Sequence, residues 1–347
     1  MSPFILMALI SSLGLGTAIT FSSSHWLLAW MGLEINTLAI LPIMSKSHHP
    51  RAVEATTKYF ITQATAAAVI LFAATSNAWA TGQWNIEHLT LPVSTSMAIF
   101  GLALKLGLAP VHFWLPEVLQ GLDLTTGLIL STWQKIAPFT LLLQMEHTNP
   151  AVMTCLGITS IIIGGWGGLN QTQLRKILAY SSIAHLGWMV IVMKFDPFLA
   201  LLSLSLYIAM TASAFMALHS SQSTTLNSLA TSWSSTPVIT TLFPLIVLSL
   251  GGLPPLSGFM PKWLVLQELT KQHLPVISTI SALSALLSLY FYLRLSYAMT
   301  LTSSPATTPT SIPWRLPSNK LTLLVATTTA VSTLFLPLTP TVLAMMY

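Results

Sequence analysis

The sequence predicts an all-α polytopic membrane protein of about eleven transmembrane helices, with a five-plus-five inverted repeat and two broken helices. Three observations predict it. Of 347 residues, 53% are hydrophobic and 6% charged, and mean hydropathy is +0.75. Soluble domains carry about 25% charged residues, so a water-facing surface cannot be built, and soluble enzymes, disordered chains and fibres are excluded. Next, apolar runs of about 20 residues, the length a spanning helix needs, recur along the whole chain. Last, the pattern Gly-Leu-x-Pro occurs twice, each time with a further proline downstream. Closed barrels also span membranes, but they need strands of alternating polarity, and Ile161-Ile162-Ile163 does not alternate.

The runs justify the count in order. Pro3–Phe21 has no basic region ahead of it and no small-residue cleavage pattern, so it is read as a retained helix. Its Gly14-Leu15-Gly16 is helix packing, since no nucleotide-binding loop follows a strand pattern here. His25–Met44 carries Glu34, and Thr56–Trp79 follows a charged stretch whose Arg51, Glu54 and Lys58 read as loop charges. Pro92–Gln120 holds the first proline motif, Leu124–Gln144 holds Lys135, and Asn149–Asn170 closes the first half. Arg175–Met193 contains His185 and is followed by Pro197–Ser220. Pro237–Glu268 holds the second motif, then come Leu274–Thr300 and Leu321–Ala344. The stretches Ser221–Ser235 and Ser303–Asn319, rich in Ser, Thr and Pro, read as surface loops. The whole of 1–347 is expected to form one transmembrane domain, with repeat one at about 1–145, repeat two at about 149–300 and a final helix at about 321–344.

The repeat rests on two segments. Gly107-Leu108-Ala109-Pro110 is followed by Pro116-Glu117, and Gly252-Leu253-Pro254-Pro255 by Pro261-Lys262, an offset of 145 residues (252 − 107). They fall in passes four and nine, and an odd separation makes the copies inverted. Interrupted helices at matching positions of an inverted repeat point to a transport site. Proline removes a backbone donor and clashes one turn back, and freed carbonyls at membrane depth must face protein or water.

Loop charges set the orientation. The N-terminal side receives Lys46, Arg51, Lys58, Arg175, Lys176, Arg315 and Lys320. The other side receives Lys194 and Lys271 against Glu87, Glu146, Asp196 and Glu268. The N-terminus is therefore expected on the cytoplasmic or matrix side and the C-terminus opposite.

Few charges remain at membrane depth, where each is costly and marks function by default. Glu34 sits mid-pass, too deep to reach the interface. Lys105 precedes the first proline break, and burial disfavours a charged amine, so a moving partner such as Glu34 would switch it. Lys135 lies in pass five with no acid in its flanks. Lys262 follows Pro261, at the repeat position of Glu117, and an interfacial anchor is its plainer reading. His112, seven residues after Lys105, is expected on the same helical face and could relay protons, with His185 a weaker candidate. Too few buried carboxylates exist for a sodium or calcium site, and His48-His49 alone does not make a zinc site. One cysteine, Cys155, cannot ligate an iron–sulfur cluster. A proton is the ion that fits, and any redox chemistry belongs to a partner.

Several of these stretches resemble the chain 2 family of vertebrate mitochondrial NADH–ubiquinone oxidoreductase, antiporter-like membrane subunits of respiratory complex I. They are Trp30 to Asn36, Lys46 to Lys58, Gly107 to Glu117, Ala179 to Gly187, and Gly251 to Trp263. The resemblance covers essentially the whole chain. It implies an antiporter-like domain in the mitochondrial inner membrane, similar to the bacterial form without its first three helices. It implies neighbouring membrane-arm subunits, including other antiporter-like ones, and phospholipids such as cardiolipin, but no nucleic acid and no metal. NADH, FMN, iron–sulfur clusters and ubiquinone would be used by partner subunits, with no cofactor bound by this chain. Glu34 would be the acid of a coupling ion pair, Lys105 its partner, Lys135 the central lysine, His112 a bridge and Lys262 the terminal lysine. The implied role is a proton-translocating subunit coupling quinone reduction to pumping. Its rivals are a free-standing cation/proton antiporter and a scaffold whose charges no longer pump.

Overall fold

A computed structural model describes residues 2–145, 149–234, 237–300 and 322–346. The expected Ser303–Asn319 loop, Glu146, Arg315 and Lys320 lie outside the described residues. Among the described residues there is no strand, only the isolated bridges His25–Asn85 and Gln173–Thr225. The helices form two compact units, Met1–Thr159 and Ser160–Tyr347.

The first unit opens with α1 (Pro3–Ser22), α2 (Trp26–Met44) and α3 (Pro50–Thr81). It continues with α4 (Pro92–Leu106), α5 (Trp114–Gly121), α6 (Leu124–Ser131) and α7 (Trp133–Gln144), then runs into α8 (Pro150–Gly167). The second unit contains α9 (Leu174–Val192), α10 (Pro197–Ser221), α11 (Leu226–Ala230) and α12 (Pro237–Gly251). After these come α13 (Phe259–Lys271), α14 (Pro275–Thr300), α15 (Thr322–Leu334) and α16 (Thr339–Met346).

Among the described residues six helices, α1, α2, α3, α8, α10 and α14, are long and apolar enough to cross a membrane, or seven if the final pair, bent by 65°, is one span. The apolar surface faces outward: Phe4, Trp79, Phe113 and Trp166 are exposed, while Thr20, Ser181 and Ser213 are buried. That distribution suits lipid rather than water. Many buried serine and threonine hydroxyls are satisfied within their own helices, as when Thr20 donates to the Thr17 carbonyl at 2.7 Å and Ser213 to that of Met210 at 2.7 Å.

The two proline-containing segments, Pro92–Gln120 and Pro237–Glu268, are each interrupted, and by the same local device. α4 ends on Gly107 at φ 78°, whose N–H donates to Ala103 and Leu104. α12 ends before Gly252 at φ 79°, whose N–H donates to Leu248 and Ser249. A left-handed glycine after the last turn is a helix stop, and the prolines beyond it prevent continuation. The same pattern recurs at two helix starts. Trp26 donates to Trp84 and Ile86 to Ser24; Leu174 donates to Thr224 and Leu226 to Thr172.

The sequence expectations need corrections. The stretch Ser221–Ser235, expected as a surface loop, holds the short helix α11, with Leu229 and Ser232 buried. The expected Leu124–Gln144 helix is interrupted at Thr132, whose backbone leaves helical geometry at φ −111° and ψ −69° between α6 and α7, while its hydroxyl and N–H both go to the Leu128 carbonyl, at 2.7 and 3.0 Å. The final helix is broken too, by a short 3-10 turn at Leu336–Leu338 containing Pro337. Arg51 and Glu54 are not loop charges: His49 caps α3 by accepting from the Arg51 N–H, so the helix starts at Pro50. Lys58, on the same helix, bridges Glu54 at 2.9 Å and Glu117 of α5 at 2.8 Å.

Candidate functional site

Small residues set the depth of each charge in the first unit. A Cβ on Gly32 would lie 2.8 Å from the Gly16 carbonyl, so α1 and α2 cross backbone to backbone. This close crossing fixes the turn carrying Glu34. Gly101 presses on Ile70 and Ala66 of α3 in the same way, one turn before Lys105.

Glu34 is half-buried, and Thr37 donates to its Oε2 at 3.0 Å. Its charge acts on Lys105 and on Tyr59. Lys105 is 6% exposed, and its Nζ is buried without a hydrogen-bond partner, so the two groups make no direct ion pair. Lys105 occupies the carbonyl end of α4, where the helix dipole attracts a cation. Lys135, 2% exposed, occupies the first turn of α7, the N–H end, just after the Thr132 interruption. Lys105 and Lys135 line one cavity of about 20 Å³. Thr37, Tyr59, Gln63 and Gln134 supply its polar wall.

His112 is buried but not on a helical face with Lys105. The helix stops at Gly107, and His112 lies in the connection to α5, bonded to the Pro110 backbone with its ring 4.4 Å from that of Phe113. The connection is tied back by Trp114, whose Nε1 donates to the Leu104 carbonyl at 3.0 Å.

In the second unit Lys262, on α13, donates from Nζ to the Gly251 carbonyl at 2.7 Å. It caps the broken end of α12, where carbonyls lack helical partners. Lys262 and His185 line a cavity of about 10 Å³ together with Ser203. The His185 ring lies 5.6 Å from that of Tyr207, whose hydroxyl meets Ser182. Among the described residues no cluster of three His, Cys, Asp or Glu side chains could hold a metal ion.

The structure thus brings Lys105 and Lys135 to one cavity, with Glu34 acting on Lys105, and separately brings together Lys262 and His185. The sequence argument missed Gln63, Thr37, Tyr59 and Tyr207 because it weighed only groups that titrate near neutrality. Their signal was a polar side chain inside an apolar run, as with Gln63 in α3.

Residues 23–288 match the family described as NADH:quinone oxidoreductase/Mrp antiporter, TM, and residues 289–343 match NADH dehydrogenase subunit 2 C-terminus. Among curated proteins, NADH-ubiquinone oxidoreductase chain 2 of Formosania lacustris is 65% identical over 348 residues, covering 100% of both chains. The Gadus morhua protein of the same name is 66% identical over 346 residues, covering 100% of this chain and 99% of its own. Among solved structures, a chain of respiratory complex I from Thermus thermophilus with bound aureothin is similar at TM-score 0.81 and 28% identity, over 97% of this chain and 80% of that one. A chain of the Mrp complex from Dietzia shares the fold at TM-score 0.80 and 17% identity, over 96% of this chain and 75% of that one.

Proposed function

Since the chain belongs to the NADH-ubiquinone oxidoreductase chain 2 family, we propose that it translocates protons as a membrane subunit of respiratory complex I. The complex as a whole is the NADH:ubiquinone reductase, and this subunit lies in the mitochondrial inner membrane. Loop charges put its N-terminus in the matrix and its C-terminus in the intermembrane space. Its neighbours are other membrane-arm subunits, with phospholipids such as cardiolipin against its apolar surface.

One observation carries the reading. Two lysines from separate interrupted helices, Lys105 and Lys135, line a single cavity, and the charge of one acid, Glu34, acts on Lys105. Buried amines at membrane depth are retained for function. Quinone chemistry elsewhere shifts the field at Glu34, Lys105 gains or loses its proton, and Lys135 exchanges with it through the cavity. Lys262 and His185 do the same work in the second unit, and His112 lines the connection after the first break. The matching glycine stops and matching bridges support reading 1–145 and 149–300 as two copies of one repeat, in a chain of eleven passes. Electron carriers belong to other subunits: Cys155 is a single, exposed cysteine, and an iron–sulfur cluster needs several.

The deciding experiment replaces Lys135 by Met in the assembled complex. The expected result is intact assembly with a lowered proton-to-electron ratio. A wild-type ratio would remove Lys135 from the path.

A further inference from the structure

The loop after the second break is held at three points. At its start the Gly252 N–H donates to the Leu248 and Ser249 carbonyls. At its end a Cβ on Gly258 would collide with that same Ser249 carbonyl, so the loop folds back onto α12 with no space for a side chain. Between them the buried Ser257 donates from its hydroxyl to the Ser332 carbonyl of α15. The first two contacts stay with α12. The third crosses 75 residues of sequence to the final long helix.

The Ser332 carbonyl is available for a reason. α15 ends at Leu334, and carbonyls in the last turn of a helix have no partner further along it. Pro337, in the 3-10 turn that follows, has no N–H with which to continue the ladder. At membrane depth such a carbonyl must be met by protein, and Ser332 is fully buried. Its own hydroxyl is committed to the Thr329 carbonyl at 2.9 Å.

This contact bears on a charge. Ser257 lies two residues before α13, whose first turn carries Lys262. Lys262 reaches back to the Gly251 carbonyl at 2.7 Å, so that bond depends on where the loop delivers α13. A Cβ on Gly258 would also lie 3.2 Å from the sulfur of Met210, and Met210 lines the cavity of Lys262 and His185. A shift of the loop therefore moves both the lysine and a wall of its cavity.

We propose that Ser257 is a positioning residue for Lys262, with α15 as its brace: the broken end of the final helix fixes the loop that delivers the second unit's lysine. Loss of the Ser257 hydroxyl strands the Ser332 carbonyl and releases the loop from α15. α13 then starts from a loop held on one side, and Lys262 leaves Gly251. The consequence for pumping, though not the geometry, rests on the proton-translocation reading.

High-resolution maps of the assembled complex test the brace. In the wild type the Ser257 hydroxyl should lie on the Ser332 carbonyl and Lys262 Nζ on that of Gly251. In Ser257→Ala, Lys262 Nζ should lie beyond hydrogen-bonding distance of Gly251, and proton release should slow about tenfold, the worth of one buried hydrogen bond. Ser257→Cys keeps a weak donor of similar size and should recover part of the rate. Thr329→Val is the packing control. Thr329 is on the buried face of α15 and donates to Ala326 of its own helix at 2.9 Å, so this variant should keep Lys262 in place and pump normally. A wild-type map with Ser257 bonded elsewhere overturns the proposal, as does an unmoved Lys262 in Ser257→Ala or an equal displacement in Thr329→Val. If Ser257→Ala does not assemble, Ser257→Cys decides: an unmoved Lys262 with a wild-type rate overturns it. Normal pumping in Lys262→Met, with Lys262 displaced in the Ser257→Ala map, would keep the positioning role and remove this lysine from the translocation path.

Discussion

The Lys262 ammonium donates to the carbonyl of Gly251, the last residue of α12, at 2.7 Å. One side chain therefore does two jobs: it places a charge at membrane depth and it closes a broken helix. Removing it separates the two. Lys262→Met should destabilise the complex by about 1–3 kcal/mol, the cost of stranding a buried acceptor, and abolish proton transfer in the second unit. Lys262→Gln keeps a donor without a titratable charge. It should recover part of the melting temperature and none of the pumping. Equal melting temperatures for the two variants would show that the cap contributes nothing.

The glycine stops at the two breaks should respond unequally. Both Gly107 and Gly252 have left-handed backbones, at φ 78° and 79°, where any side chain costs about 1–2 kcal/mol. A Cβ at Gly107 would meet the end of the Leu115 side chain at 3.2 Å. At Gly252 it would meet the Lys262 stem at 2.9 Å and its Nζ at 3.0 Å. Gly252→Ala is therefore expected to impair proton pumping more than Gly107→Ala. Proton counting on both variants checks the ranking.

The crossing of α1 and α2 offers a control for placement. Gly32→Leu forces bulk against the Gly16 carbonyl and Thr20, both within 2.8 Å of the new Cβ. Overpacking of this kind costs about 1–3 kcal/mol, and it displaces Glu34, two residues along the same helix. Gly14 has nothing within 4 Å of its Cβ position, so Gly14→Ala should leave assembly and pumping unchanged. Assembly yield on native gels distinguishes the two.

Much of this was legible in the sequence, and the reasons are physical. Scarcity of charge isolated Glu34, Lys105, Lys135 and Lys262, since each buried ion in an apolar run stands out. Gly107 and Gly252 were legible because glycine followed by proline admits few backbones. The Thr132 interruption was not, because nothing in the run Leu124 to Gln144 marks that threonine out from others whose hydroxyls bond one turn back inside unbroken helices. His112 was placed on the wrong geometry because helical periodicity was carried across a residue that stops the helix. Gln63 was overlooked because an amide has no charge to betray it, and only the cavity beside it shows that its donor is unmet.

Thr37 leads to the sharpest prediction about coupling. Its hydroxyl shares its one proton between Glu34 Oε2 at 3.0 Å and the Glu34 carbonyl at 2.9 Å, so the carboxylate is held by its own helix. A hydrogen bond to a charged group is worth about 1.5–3 kcal/mol. Thr37→Val keeps the size of the side chain and removes that hold. The freed carboxylate then moves to the strongest available cation, and Lys105 has no competing partner. A direct Glu34–Lys105 pair should form and fix the lysine in its charged state. Proton release should slow in Thr37→Val and stay close to wild type in Thr37→Ser, which keeps the hydroxyl that holds the carboxylate. If Thr37→Ser is as slow as Thr37→Val, the slowing does not come from the lost hydroxyl, and Thr37 acts only as packing.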